Sequence, residues 1–139
     1  MAEALFKETL SKRGLSDDWV ATSAAAWGSA GQPTTLEAQQ VAVEHGLDLE
    51  NHRSQRVDDL DLGAYDLILV MEANHQEALR VEFPDLSNRI HLLSAMAGPA
   101  YDIRDPYGTD LDAYDRTWTE IERLLESGFE RILALTTDT

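Results

Sequence analysis

The sequence predicts a layered α/β fold, a three-layer sandwich with helices on both faces of a parallel sheet. Three observations lead there. Residues 65–71 (YDLILVM) hold an unbroken apolar run after Asp66, the pattern of a strand buried on both faces. Residues 89–93 (RIHLL) read as a second strand, separated from the first by a helical stretch. Toward the C-terminus, Tyr114, Trp118, Ile121, Leu125, Phe129 and Ile132 recur at helical spacing. With 139 residues, 43% of them hydrophobic, the chain can bury one sizeable core, so residues 1–139 are expected to form a single domain.

The elements follow in order. Residues 1–13 are rich in helix formers and set Leu5, Phe6 and Leu10 toward one side, with Gly14 placed for a left-handed cap. Residues 19–24 (WVATSA) alternate apolar and small polar positions and predict a short strand, and a loop bearing Gly and Pro covers residues 27–34. Thr34 or Thr35 can cap a second helix running to about His45, with Glu37 near its positive end, Val41 and Ala42 inside, and Gly46 as a stop. After the 65–71 strand a third helix is expected over residues 74–83, ended by Pro84. The final helix is expected to run unbroken over residues 112–133. A doubly wound domain normally opens with a strand, whereas this chain opens with a helix.

Charge narrows the function classes. The 26 Asp and Glu against 11 Lys and Arg give a net charge of −15, which argues against a nucleic acid backbone or an anionic membrane as a partner. The sequence has no cysteine, so disulfides, thiolate metal sites and a cysteine nucleophile are absent from it. No run of about 18 apolar residues and no signal-peptide pattern are present, so a soluble cytoplasmic protein is expected. The pairs Asp17 and Asp18, Asp58 and Asp59, and Asp110 and Asp112 lack the ligand number and glycine offset of a calcium loop. His45, His75 and His91 share no metal spacing, and neither metal nor cofactor is expected.

Four segments occur in a telling order: MAEALF at residues 1–6, SAAAW at 23–27, AYDLILVME at 64–72 and DPYG at 105–108. Together with Pro33, EHGLDL at 44–49 and HRSQ at 52–55, they resemble the low molecular weight protein tyrosine phosphatases over nearly the whole chain. The resemblance implies hydrolysis of phosphate monoesters, with a phosphotyrosine protein or a small phosphoester as substrate. In that family a buried strand and a phosphate-binding loop of the form C-x-x-x-x-x-R-S precede the segment similar to MAEALF. The expectation is therefore of an N-terminally truncated domain lacking about twenty residues, one strand and its loop.

The family's chemistry is a two-step displacement. A thiolate attacks phosphorus, an aspartic acid protonates the leaving phenolate, and the same aspartate then activates water. By resemblance the acid/base role falls to Asp105, whose plain alternative is an Asp-Pro turn residue. Tyr107 resembles the aromatic rim that contacts the substrate, and Trp27 lies in the loop bordering the site; an exposed loop tyrosine and a locally packed tryptophan are the plain alternatives. Ser23 and His52 correspond to the polar network that supports the phosphate loop. No residue corresponds to the nucleophile or to the phosphate-binding arginine, so the chain as given is expected to be inactive.

Family topology puts the absent strand at the centre of the sheet, between segments 19–24 and 65–71. Three routes would then repair the sheet: an upstream start, a rearrangement, or a swapped homodimer. A pseudophosphatase acting as a binding or regulatory module, with an anion at the start of the first helix, is the alternative function. A family arsenate reductase would need several cysteines.

Overall fold

The computed structural model describes residues 1–25 and 30–137. Among the described residues five α-helices and two strands follow one another: α1 (Ala2–Lys12), α2 (Leu36–Glu44), β1 (Ile68–Val70), α3 (Ala73–Glu82), β2 (Ile90–Leu92), α4 (Leu111–Ser127) and α5 (Phe129–Thr137). The chain divides into two compact units, one of Met1–Leu60 with Asp105–Glu122 and one of Asp61–Arg104 with Arg123–Thr139.

In the first unit, α1 buries Leu5 and Leu10 and stops where glycine permits a left-handed turn. Gly14 sits at φ +70°, and the Leu15 amide donates to the Leu10 carbonyl at 2.9 Å. Thr35, not Thr34, caps α2: its hydroxyl accepts from the Ala38 amide at 3.2 Å, while the Thr34 hydroxyl donates to the Leu49 carbonyl. Ala38, Val41 and Ala42 form the inner face of α2, and Gly46 closes it at φ +81°. Trp118 of α4 is fully buried, and the His45 ring stacks on it at 5.4 Å while His45 Nε2 meets Asp115 Oδ1 at 2.8 Å. The histidine at the end of α2 is thus a packed, hydrogen-bonded side chain.

The strand predicted over residues 19–24 does not form. Its alternation survives, with Trp19, Ala21 and Ser23 half-buried and Val20, Thr22 and Ala24 exposed. A strand, however, is defined by a ladder, and this segment is followed only by an isolated parallel bridge between Ala25 and Arg56. Side-chain pattern gives the correct face; the partner decides whether a strand exists.

In the second unit, β1 and β2 pair in parallel, with Ile68 opposite Ile90 and Val70 opposite Leu92. Ile90 and Leu92 are buried, whereas all three β1 residues are half-buried, so the expectation of a strand covered on both faces is not met. Among the described residues β1 has one neighbour, β2, and the sheet has two strands. Helix α3 is fastened to β2 by Gln76 Nε2 and Arg80 Nη2, which donate to the Ile90 carbonyl at 3.0 and 2.8 Å. Asp102 Oδ1 accepts from the Ala73 amide at 2.8 Å and caps α3 from outside the helix. Pro84 follows its end, as the sequence predicts.

The single final helix is also corrected. A one-residue turn at Gly128 separates α4 from α5, and glycine stands there because a Cβ would come within 2.6 Å of Met96 Cβ and 2.8 Å of the Leu124 carbonyl oxygen. Leu124, Leu125, Phe129 and Ile132 remain buried on both sides of the turn, and the Gly128 amide still donates to the Leu124 carbonyl at 2.8 Å, so the apolar stripe runs through it.

Candidate active site

The DPYG segment is a turn built by its own residue types. Asp105 Oδ1 accepts from the Tyr107 amide at 3.0 Å, Pro106 is buried and fixes the backbone, and Gly108 takes φ +82°. The Thr109 amide donates to the Pro106 carbonyl at 3.0 Å, and the Thr109 hydroxyl donates to the same oxygen. The next residue, Asp110, accepts through Oδ1 from the Ala113 amide at 2.9 Å and starts α4. The outcome is an exposed Asp105 carboxylate with one oxygen fixed by the backbone, beside a Tyr107 ring that is 74% exposed.

Ser23 and His52 come together on a residue that the sequence reading does not single out. The Ser23 hydroxyl donates to Glu3 Oε1 at 3.0 Å, and His52 Nδ1 lies 3.5 Å from Glu3 Oε2. Lys7, one turn along α1, donates to the same Oε2 at 3.2 Å. Gln55 Nε2 donates to the Ser23 carbonyl at 3.0 Å, tying the 52–55 segment to the serine's backbone. Burial pushes the Glu3 carboxyl upward, but the Ser23 and Lys7 hydrogen bonds and the positive charges of Lys7 and His52 outweigh it, and the carboxyl is held below its ordinary range. The signal was present in MAEALF itself: an acid in the first turn of a helix, four residues before a lysine.

The start of α1 lies within electrostatic reach of both acids. Burial lowers the pKa of the Met1 ammonium, while the charges of Glu3 and Asp105 oppose that shift without overcoming it. Trp27 falls outside the described residues. Among the described residues no group of three or more His, Asp or Glu side chains is placed to hold a metal ion. No helix among the described residues is long and apolar enough to cross a membrane.

A family model described as low molecular weight phosphotyrosine protein phosphatase matches residues 1–135. The chain belongs to this family. It is 30% identical to the probable low molecular weight protein-tyrosine-phosphatase EpsP of Ralstonia nicotianae, across 97% of this chain and 88% of that protein. It is also 30% identical to the protein-arginine-phosphatase of Bacillus subtilis, across 90% of this chain and 82% of that one. The crystal structure of the low molecular weight protein tyrosine phosphatase from T. tengcongensis superposes with a TM-score of 0.86 at 31% identity, covering 94% of this chain and 88% of the other. The phosphatase resemblance carried by the four segments is thereby confirmed, together with the α/β fold of the family.

Proposed function

We propose that this phosphatase chain supplies the acid/base and supporting half of a phosphate monoester hydrolase, with Asp105 as the general acid/base and Tyr107 as the aromatic rim. The observation that carries the reading is the exposed Asp105 carboxylate, held by its Tyr107 amide bond at the head of a DPYG turn within a family match over residues 1–135. Ser23 and His52 act as supporting residues, since both engage Glu3 and neither needs to touch substrate. Trp27 is assigned to the rim by sequence alone. The substrate is a phosphotyrosine protein or a small phosphoester, and the similarity to a protein-arginine-phosphatase adds phosphoarginine to the compounds worth assaying.

The 139-residue chain on its own should not turn over an aryl phosphate, because it holds no thiol to attack phosphorus. The test is p-nitrophenyl phosphate hydrolysis by the chain and by Asp105→Asn. No release of nitrophenol is expected from either; hydrolysis that falls in Asp105→Asn would overturn the claim of inactivity. A chimera placing a C-x-x-x-x-x-R-S strand and loop ahead of Met1 tests the role of Asp105 itself. It should hydrolyse the ester and lose about 10² to 10⁴ in kcat with Asp105→Asn; an equally active variant would remove Asp105 from the mechanism.

The chain is further proposed to act as a single cytoplasmic domain that pairs with a second copy. Supporting the pairing, the described sheet has two strands of three residues each, fewer than an independent sheet needs. Light scattering should give the mass of a dimer, and a cooperatively unfolding monomer would end that proposal. The pseudophosphatase reading draws on the same lack of cysteine and predicts a binding partner for the isolated chain in place of turnover.

A further inference from the structure

A cavity of about 230 Å³ opens beside α1, lined by Lys7, Leu10, Ser16, Trp19 and Ala21. Its walls are chemically uneven. Leu10, Trp19 and Ala21 offer an apolar lining with one large aromatic ring, Ser16 a hydroxyl, and Lys7 the single charge. The Lys7 side chain is 57% exposed and donates to Glu3 Oε2 at 3.2 Å. An ammonium carries three donors, so Lys7 can keep Glu3 and still donate to a second anion. The Trp19 ring itself packs edge-on against Phe6 at 5.8 Å, which holds it in place as part of the wall.

We propose that this cavity is a binding site for a small aromatic carboxylate, its ring on the apolar wall of Trp19 and Leu10 and its carboxylate on Lys7. Charge complementarity selects the anion, and the apolar wall selects a ring over an inorganic ion. The site stands apart from the Asp105 turn but connects to the supporting residues. Lys7 and His52 approach the same Glu3 oxygen, so a ligand that draws on Lys7 loosens the grip on Glu3 and reaches Ser23 and His52 through it. That second consequence rests on the functional reading above; the binding site does not.

The test is a ¹⁵N and ¹³C NMR titration of the 139-residue chain with benzoate, with benzyl alcohol and sodium sulfate as separate probes. Benzoate should shift the Trp19 indole N–H, assigned through Trp19→Phe, together with the Leu10 methyls. Lys7→Gln should weaken that binding about tenfold or more, the loss of one charge-assisted hydrogen bond. Benzyl alcohol should bind at least tenfold more weakly, and sulfate should leave Trp19 and Leu10 unmoved. Unchanged Trp19 and Leu10 signals with benzoate, or equal affinity in Lys7→Gln, would overturn the site. If benzoate binds with Lys7 dependence but the Glu3 carboxyl titration does not move upward, the site stands and its link to the supporting residues falls.

Discussion

Two carboxylates in the first unit have opposite surroundings. Asp105 is exposed on a turn and holds a single backbone amide with one oxygen. Glu3 lies half-buried on α1 and is met by Ser23, Lys7 and His52. The contrast separates two tasks. A group that exchanges protons with a substrate must stay accessible and lightly held, whereas a group that fixes the position of others must stay ionised and be gripped. Both are acids in the sequence, and only their neighbours distinguish the acid/base role proposed for Asp105 from the structural place of Glu3.

The difference between the two acids should show most strongly at Asp105. Asp105→Asn should remove about 10² to 10⁴ of the chimera's kcat while shifting the stability of either form by less than about 0.5 kcal/mol, as measured by urea unfolding. A large stability loss would make it a structural residue like Glu3. At Glu3 the balance should invert. Glu3→Gln keeps the shape but removes the charge that Ser23, Lys7 and His52 engage, and should cost about 1–2 kcal/mol in the same assay, the partly solvated setting keeping the figure modest.

A pH series sharpens the same point. The Glu3 carboxyl is held below its ordinary value of 4.5, so its contribution is fully present above that value and is lost as pH falls through the lowered folded value. Wild type should therefore lose stability relative to Glu3→Gln as the pH drops below about 4.5, the two curves converging in acid. Parallel curves would mean that the charge is not what the three neighbours hold. Ser23→Ala, which removes one donor from Glu3, should cost about 0.5–1.5 kcal/mol and move the Glu3 carboxyl upward in a ¹³C titration. Lys7→Gln comes last: the pair is on the helix surface with the lysine more than half exposed, so unfolding should change by less than about 0.5 kcal/mol.

Much of the molecule was legible locally. Gly14 and Gly46 end α1 and α2 because each turn takes a positive φ that glycine adopts without strain, and Pro84 ends α3 because it cannot continue a helix. The Asp105 turn was equally legible, since Asp, Pro and Gly each carry their own turn preference. What escaped depended on partners distant in sequence. Segment 19–24 has a strand's alternation but no ladder, and the turn between α4 and α5 falls at Gly128, which lies against Met96, thirty-two positions away, where no Cβ fits. The spacing of Glu3 and Lys7 marks a local pair, but Ser23 and His52 reach Glu3 from twenty and forty-nine residues away, a distance no local pattern records.

Residue type and short-range geometry were enough for the family, the acid/base candidate and the ends of α1, α2 and α3. Tertiary structure alone decided which strand has a partner, where the turn falls in the long amphipathic run, and that Ser23, His52 and Lys7 share one carboxylate. Each of those outcomes is a contact between residues far apart in the chain, and such contacts exist only once the backbone has brought them together.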